Sequence, residues 1–425
     1  MKTVLLLLHL LAIGWIGVLM WRRENVLKKI FFPALVVKVA AGIAVGLLYE
    51  FYYTSGDTWL YFRDGQLLAS LARSDFQGYW QLLWASEGDL PATTTYGFQE
   101  PRALFFVKVV SVFNLLSLDN YWVISVYFSF FSFLGAWFLL RQLTAQMPNA
   151  KLPGAVGLLF FPSLVFWSAG LIKESLAMAG LYFLAGIFIR VWFSQKFRLS
   201  YLLPLVLSVW VVWNLKYYYA AVFFAVVITS LGYKYASNRL HFRRSFSGEC
   251  GIWLLIFFLA LALVSLLHPN FSPQRLLSVI VDNNESYSVI SAPEDQVQFY
   301  SLQRAWGSLI LNSPWALVSG LFRPFIWESG NILQFMISLE NLLLLTVFVV
   351  AILKAGQLSK SNQRVLVFAV IVYVILLAVF ITLSTPNFGT LSRYRVGYLP
   401  FFITLVLSAR PVLNVLERSF NRLVR

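Results

Sequence analysis

Four short stretches of the chain hold side chains that could do chemistry. The first is Tyr52-Tyr53-Thr54-Ser55-Gly56-Asp57-Thr58-Trp59. A carboxylate there follows an aromatic pair, behind a glycine that permits a sharp turn. It could take a proton from an acceptor hydroxyl or bind a divalent cation. It could equally cap the amphipathic stretch that follows, the commonest use of such an Asp. The second stretch runs from Phe161 to Ser175 and contains Pro162, Gly170, Lys173 and Glu174. Proline suits a kink and glycine a turn. A charged pair at the edge of hydrocarbon is costly and calls for a use. Glu174 complements the positive end of the helix it would begin, whereas Lys173 does not. Adjacent helical residues do not face each other, so the two should meet different partners.

The third stretch, Asn387 to Arg395, ends in Arg393-Tyr394-Arg395. Guanidinium groups offer a planar fork of donors that fits phosphate, and the tyrosine adds a hydroxyl. The alternative is snorkelling towards lipid headgroups. The fourth, Leu321 to Glu328, holds Arg323 and Glu328, which could pair or line one cavity. Lys216 is a further isolated cation. Lys38, Glu50 and Glu340 lie within apolar runs, where an ionisable group is a functional candidate unless it is paired. The constellation is two acids, Asp57 and Glu174, with Lys173, Lys216, Arg323, Arg393 and Arg395. Acids and phosphate-binding cations together suit transfer from a phosphate-activated donor.

Membrane helices must position these residues. Of 425 residues, 59% are hydrophobic and 12% charged, against roughly 45–50% and 25% in soluble domains. Apolar runs expected to span a bilayer lie near 3–21, 30–53, 121–142, 153–168, 175–195, 200–214, 216–233, 251–268, 332–354, 365–384 and 392–409. The first is read as a retained span, because its positive charge follows it at Arg22 and Arg23 and no small-residue cleavage site is present. The expected fold is an all-α polytopic transmembrane bundle of about 11 spans in a single integral membrane domain. Its two long outer segments, 54–120 and 269–331, would carry interfacial helices.

The net charge of +15 does not indicate nucleic acid. Basic residues recur in every second inter-span segment, such as Lys28 and Lys29, Lys196 and Arg198, Arg243 and Arg244, Lys354 and Lys360, and Arg418 to Arg425. That is the positive-inside pattern, and it sets the N-terminus outside and the C-terminus in the cytoplasm. Outside the spans, only Glu24, Glu249 and Glu417 fall in the basic segments, so the outer face holds the other carboxylates. Cys250 is the single cysteine, which excludes an intrachain disulfide. His9, His241 and His268 are too scattered for a metal or haem site. No cofactor motif is present, and a divalent cation is the one candidate cofactor.

The order of elements resembles the GT-C superfamily of integral-membrane glycosyltransferases, which use polyprenyl- or dolichyl-linked sugar donors. That superfamily places a long outer loop after an early span, with an acidic motif at its start, and Asp57 in Gly56-Asp57-Thr58 matches that acid. Glu100-Pro101-Arg102 with Ala103–Leu118, then Tyr121–Leu140, is similar to its interfacial helix and following span. The Ser168–Ser175 turn resembles its second acidic motif, where only Glu174 carries over. Arg393-Tyr394-Arg395 resembles late-span arginines that hold donor phosphate. Asp57 lacks the paired acid common in the family, Lys173 stands where metal-using members carry an acid, and the WWD motif of protein N-glycosylation is absent.

The resemblance implies transfer of a sugar from a polyprenyl-phosphate-linked donor to a glycan or lipid acceptor. The reaction would take place on the outer or periplasmic face of a bacterial inner membrane. Asp57 would act as base and Glu174 would support it. Arg393 and Arg395, with Tyr394 and Lys173, would hold the phosphate, and Arg323, Glu328 and Lys216 are further site candidates. A polymerase or ligase of lipid-linked glycans is a close variant. A transporter or flippase of lipid-linked saccharides is the alternative from another class, although its site would lie near the bilayer midplane. The topology is testable on its own: reporters fused at Asn25, Ala145 and Leu240 should all report cytoplasm, and an external signal at Leu240 would overturn the orientation.

Overall fold

A computed structural model describes residues 2–53, 57–85, 100–240, 245–267, 272–353 and 363–424. Thr54, Ser55, Gly56, the expected polar break Glu87–Thr95, His241, Arg243, Arg244, His268, Lys354, Lys360 and Arg425 lie outside the described residues. Those described are all-α, with one isolated antiparallel bridge between Gln296 and Asn387. Among the described residues seven helices are long and apolar enough to cross a membrane, or eight if one bent pair counts as a span. The chain is therefore an integral membrane protein.

The helices sort into two compact units. The first comprises Met1–Gln142, Leu159–Ile187 and Lys196–Tyr217. Here α1 (Lys2–Arg22) precedes α2 (Lys28–Phe51). The 24 residues of α2 measure roughly 36 Å at 1.5 Å per residue, enough for a hydrocarbon core of about 30 Å. Three helices of the segment after α2 follow: α3 (Asp57–Ser74), α4 (Phe76–Trp84) and α5 (Pro101–Ser117). Asp75 caps α4 by accepting the Gly78 amide at 2.9 Å. Pro101 at the first position of α5 suits a helix start, where its missing N–H is no loss. Gly65 of α3 brings the backbone of α5 close, since a β-carbon there would lie 2.7 Å from Val110. Lys108 of α5 donates to the Ala85 carbonyl at 2.7 Å, and burial pushes its ammonium below the ordinary lysine range.

Next comes α6 (Tyr121–Gln146), followed by α7 (Lys151–Ala155), one π-helical turn Val156–Phe160, and α8 (Pro162–Trp167). The apolar run expected near 153–168 is thus a broken helix that restarts at Pro162, because proline cannot continue the ladder behind it. Then α9 (Lys173–Trp192) leads to α10 (Leu202–Leu240). The expected pair at 200–214 and 216–233 is found as two helical stretches of α10 that meet at a kink, where Lys216 has non-helical backbone, φ −144° and ψ 63°. Before that break, α10 lies along α9: a β-carbon on Gly180 would meet Val212 at 2.7 Å and the Ser208 carbonyl at 3.1 Å.

The second unit comprises Leu143–Leu158, Phe188–Gln195 and Tyr218–Arg425. It contains α11 (Phe246–Leu267), then α12 (Pro273–Ile290) and α13 (Trp306–Phe322), which both pack on α15 (Arg364–Ser384). Leu255, Phe258, Leu259 and Leu263 of α11 are exposed, as lipid-facing residues are. Between α13 and α15 lies α14 (Ile332–Leu353). The expected span near 392–409 is broken into α16 (Phe388–Tyr394), a 3-10 turn Arg395–Gly397 and α17 (Leu399–Leu407). The chain ends in α18 (Arg410–Val424), bent by 84° from α17.

Small residues let α2 and α6 meet closely in the first unit. Gly42 and Gly46 make a GxxxG face on α2, the spacing that lets membrane helices approach. A β-carbon on Gly46 would lie 2.8 Å from both the Tyr121 and Trp122 rings, and one on Gly42 would meet the Gly170 backbone at 3.0 Å. Gly46→Val should therefore destabilise the protein by about 1–3 kcal/mol through overpacking. Gly251→Val, with nothing within 4 Å of its β-carbon, should not. Thermal unfolding in detergent measures both, and a Gly46→Val protein as stable as its parent would contradict this packing.

Candidate functional site

In the first unit the site is built around the turn between α8 and α9. Its backbone needs Gly170, whose φ of +79° lies in the left-handed region. Ser129 of α6 accepts the Gly170 amide at 2.9 Å. Lys38 of α2 reaches the same turn, donating to Ser168 Oγ at 2.5 Å and to the Val165 carbonyl at 3.4 Å. Thr58 Oγ1 donates to the Leu171 carbonyl at 2.7 Å and lies 2.7 Å from the Tyr121 hydroxyl. Trp59 stacks on Tyr121 with ring centres 3.9 Å apart. The start of α3 is thereby tied to the turn that carries Lys173 and Glu174.

Lys173 and Glu174 open α9 and diverge. Lys173 Nζ lies 5.2 Å above the centre of the Tyr61 ring. Glu174 is fully buried and forms an ion pair with Lys216 at 2.7 Å, with both side chains shielded from solvent. Lys216 sits at the non-helical residue of α10. Close by, Arg102 of α5 lies 5.3 Å from the centre of the Tyr217 ring.

Asp57 occupies the first turn of α3 and is half-buried. A carboxylate there complements the positive end of the helix. Two turns further along, Asp64 is 3% exposed. Residues 57, 61 and 64 stand at i, i+4 and i+7, so Asp57, Tyr61 and Asp64 share one face of α3. Lys173 lies against the middle of that stripe. Asp64 is a further candidate, one that sequence reasoning did not single out; its spacing from Asp57 was the available signal.

The second unit holds the remaining candidates. Asn387 caps α16 by accepting the Thr390 amide at 2.9 Å, and Arg393, Tyr394 and Arg395 end that helix. The Tyr394 carbonyl accepts from the Tyr219 hydroxyl at 2.5 Å, while its own hydroxyl lies 3.4 Å from that of Tyr287. Arg393 is 8% exposed, with its guanidinium 5.8 Å from the centre of the Tyr394 ring. Arg395 is fully buried. Its Nη1 donates to Asn341 Oδ1 at 2.7 Å, whereas Nε and Nη2 have no hydrogen-bond partner among the described residues.

Arg323 and Glu328 pair with each other. Arg323 Nε donates to Glu328 Oε2 at 3.0 Å and Nη2 to Oε1. Glu328 also accepts the Phe325 amide at 2.8 Å. Arg323 lies 5.0 Å from both the Trp315 and Phe388 rings, so its charge is matched within its own segment.

Among the described residues no three His, Cys, Asp or Glu side chains come together as a metal site would need. No protein-family model, curated protein or solved structure matches the chain.

The buried pair can be tested directly. Glu174→Gln leaves Lys216 as an uncompensated buried cation and should destabilise the protein by about 3–5 kcal/mol. The double substitution Glu174→Gln with Lys216→Met should recover most of that loss. Thermal unfolding of the parent, both single variants and the double variant measures the coupling, and additive losses would mean that the pair contributes nothing.

Proposed function

We propose that the protein is a membrane glycosyltransferase, moving a sugar from a polyprenyl-phosphate-linked donor to a glycan or lipid acceptor at the outer face of the membrane. The observation that carries this reading is Arg395, a buried guanidinium whose Nε and Nη2 are left for an acceptor that the described chain does not supply. A phosphate offers two oxygens at the spacing of those donors. A cation placed where a phosphate leaves stabilises the charge that develops on it.

The remaining residues take roles in the same transfer. The bond from the sugar's anomeric carbon to the phosphate oxygen breaks, and a bond to the acceptor oxygen forms. The acceptor hydroxyl's proton passes to a carboxylate, for which Asp57 is half-buried at the start of α3. Lys173 and the Glu174–Lys216 pair hold the turn beside it, and Arg393 and Tyr394 flank Arg395. The eleven-span topology, with its outer-face site and cytoplasmic C-terminus, belongs to this proposal. Polymerase or ligase chemistry on lipid-linked glycans would use the same groups.

Transfer of labelled sugar from a polyprenyl-phosphate donor in proteoliposomes tests the reading. Asp57→Asn should insert and fold normally, yet lose transfer by roughly 100-fold or more if Asp57 is the base. If Asp57 serves only the helix start, Asn should be nearly silent. Movement of intact donor across the bilayer without sugar transfer would instead identify a flippase.

A further inference from the structure

The two arginines of the second unit make an internal comparison. Arg323 uses one edge of its guanidinium, Nε with Nη2, to grip both oxygens of Glu328. Arg395 has the same edge unfilled, and the opposite corner, Nη1, is fixed by Asn341. Asn341 is 1% exposed and is itself fixed, because its Nδ2 donates to the Pro324 carbonyl at 3.0 Å. A carbonyl can only accept, so that contact turns the amide nitrogen towards Pro324 and the amide oxygen towards Arg395. Glu340, the preceding residue on α14, supplies opposite charge to Arg395 through space.

A buried guanidinium with an unfilled edge is expensive to maintain. Flexible arginines lose much rotamer freedom on binding, and a guanidinium that is already held loses less. We infer that Asn341 is a positioning residue: it locks the Arg395 guanidinium through Nη1 so that Nε and Nη2 form a preset clamp for two oxygens of a lipid-linked phosphate group. This rests on the carrier-phosphate reading above, and assigns to a neutral amide within the α14 span the aim of the clamp.

The test measures binding to the full-length protein in nanodiscs with two ligand pairs. They are a polyprenyl monophosphate against the matching polyprenol, and phosphatidate against diacylglycerol. The readout is the affinity ratio within each pair, which general damage to the fold leaves unmoved. The parent should prefer the polyprenyl phosphate by about 10-fold or more. Asn341→Leu, which removes the acceptor for Nη1, should bring the ratio close to one while polyprenol binding is unchanged. Arg395→Lys keeps the charge without the fork and should do the same. Should Asn341→Leu fail to fold, Asn341→Asp, which keeps the shape but sets a competing carboxylate against Arg395, should also abolish the preference. A parental preference that survives in the Asn341 variants overturns the positioning role and leaves the carrier reading standing. A parent without preference in either pair overturns both. A preference confined to phosphatidate, lost in the variants, supports the clamp and assigns it to bilayer phospholipid.

Discussion

A helix that breaks among apolar side chains exposes carbonyls and amides that no water can satisfy, and each must find a partner in the chain. Two breaks govern this protein. At residues 161–172, Lys38 and Ser168 serve the Val165 and Leu164 carbonyls, Thr58 serves Leu171, and Ser129 accepts the Gly170 amide. Around 385–398, the Tyr219 hydroxyl serves the Tyr394 carbonyl and the Tyr373 hydroxyl serves Gly397. Each break is thus fixed by side chains from helices distant in sequence. The charged residues at the breaks inherit that fixity: Lys173 and Glu174 follow the first, and Arg393 and Arg395 lie in the second.

The charges beside the breaks meet different fates. Glu174 with Lys216, and Arg323 with Glu328, are closed pairs whose members compensate each other. A closed buried pair is weak evidence for stability, because desolvation offsets much of the attraction. It is also poorly placed to act on a ligand, since its donors are committed. Arg395 differs because two of its donors remain open. Sorting the cations by whether their donors are spent narrows the list that residue type alone supplies.

The helical membrane architecture could be read from apolar run length. The break at Pro162, the turn at Gly170 and the divergence of Lys173 from Glu174 were legible because each follows from one residue's local chemistry. The break at Lys216 was legible as well, from a lone cation between two apolar runs, although no proline or glycine marks it. Asp64 was hidden. In sequence it belongs to an amphipathic stretch, where an acid is expected in solvent, and its burial is seen only in the folded chain. Asn341 carried no signal, because a neutral amide in an apolar run looks like many others until its two partners are known.

Lys38 shows how the same physics removes a candidate. It lies within the α2 span, 4% exposed, where an ionisable side chain is a functional suspect by default. The Leu171, Tyr394 and Gly397 carbonyls are served by hydroxyls and that of Pro386 by the Val297 amide, none of which carries a charge into an apolar setting. Lys38 is the exception, and the place it occupies explains why. It meets the C-terminal end of α8, where the unsatisfied carbonyls at Leu164 and Val165 carry the partial negative charge of a helix terminus. One ammonium, with Ser168 as relay, answers both carbonyls and that charge together. Its donors point to the Ser168 hydroxyl and the Val165 carbonyl, which accounts for its presence without any ligand. Arg395 is answered differently: Asn341 takes one corner, Glu340 supplies opposite charge through space, and among the described residues Nε and Nη2 have no hydrogen-bond partner.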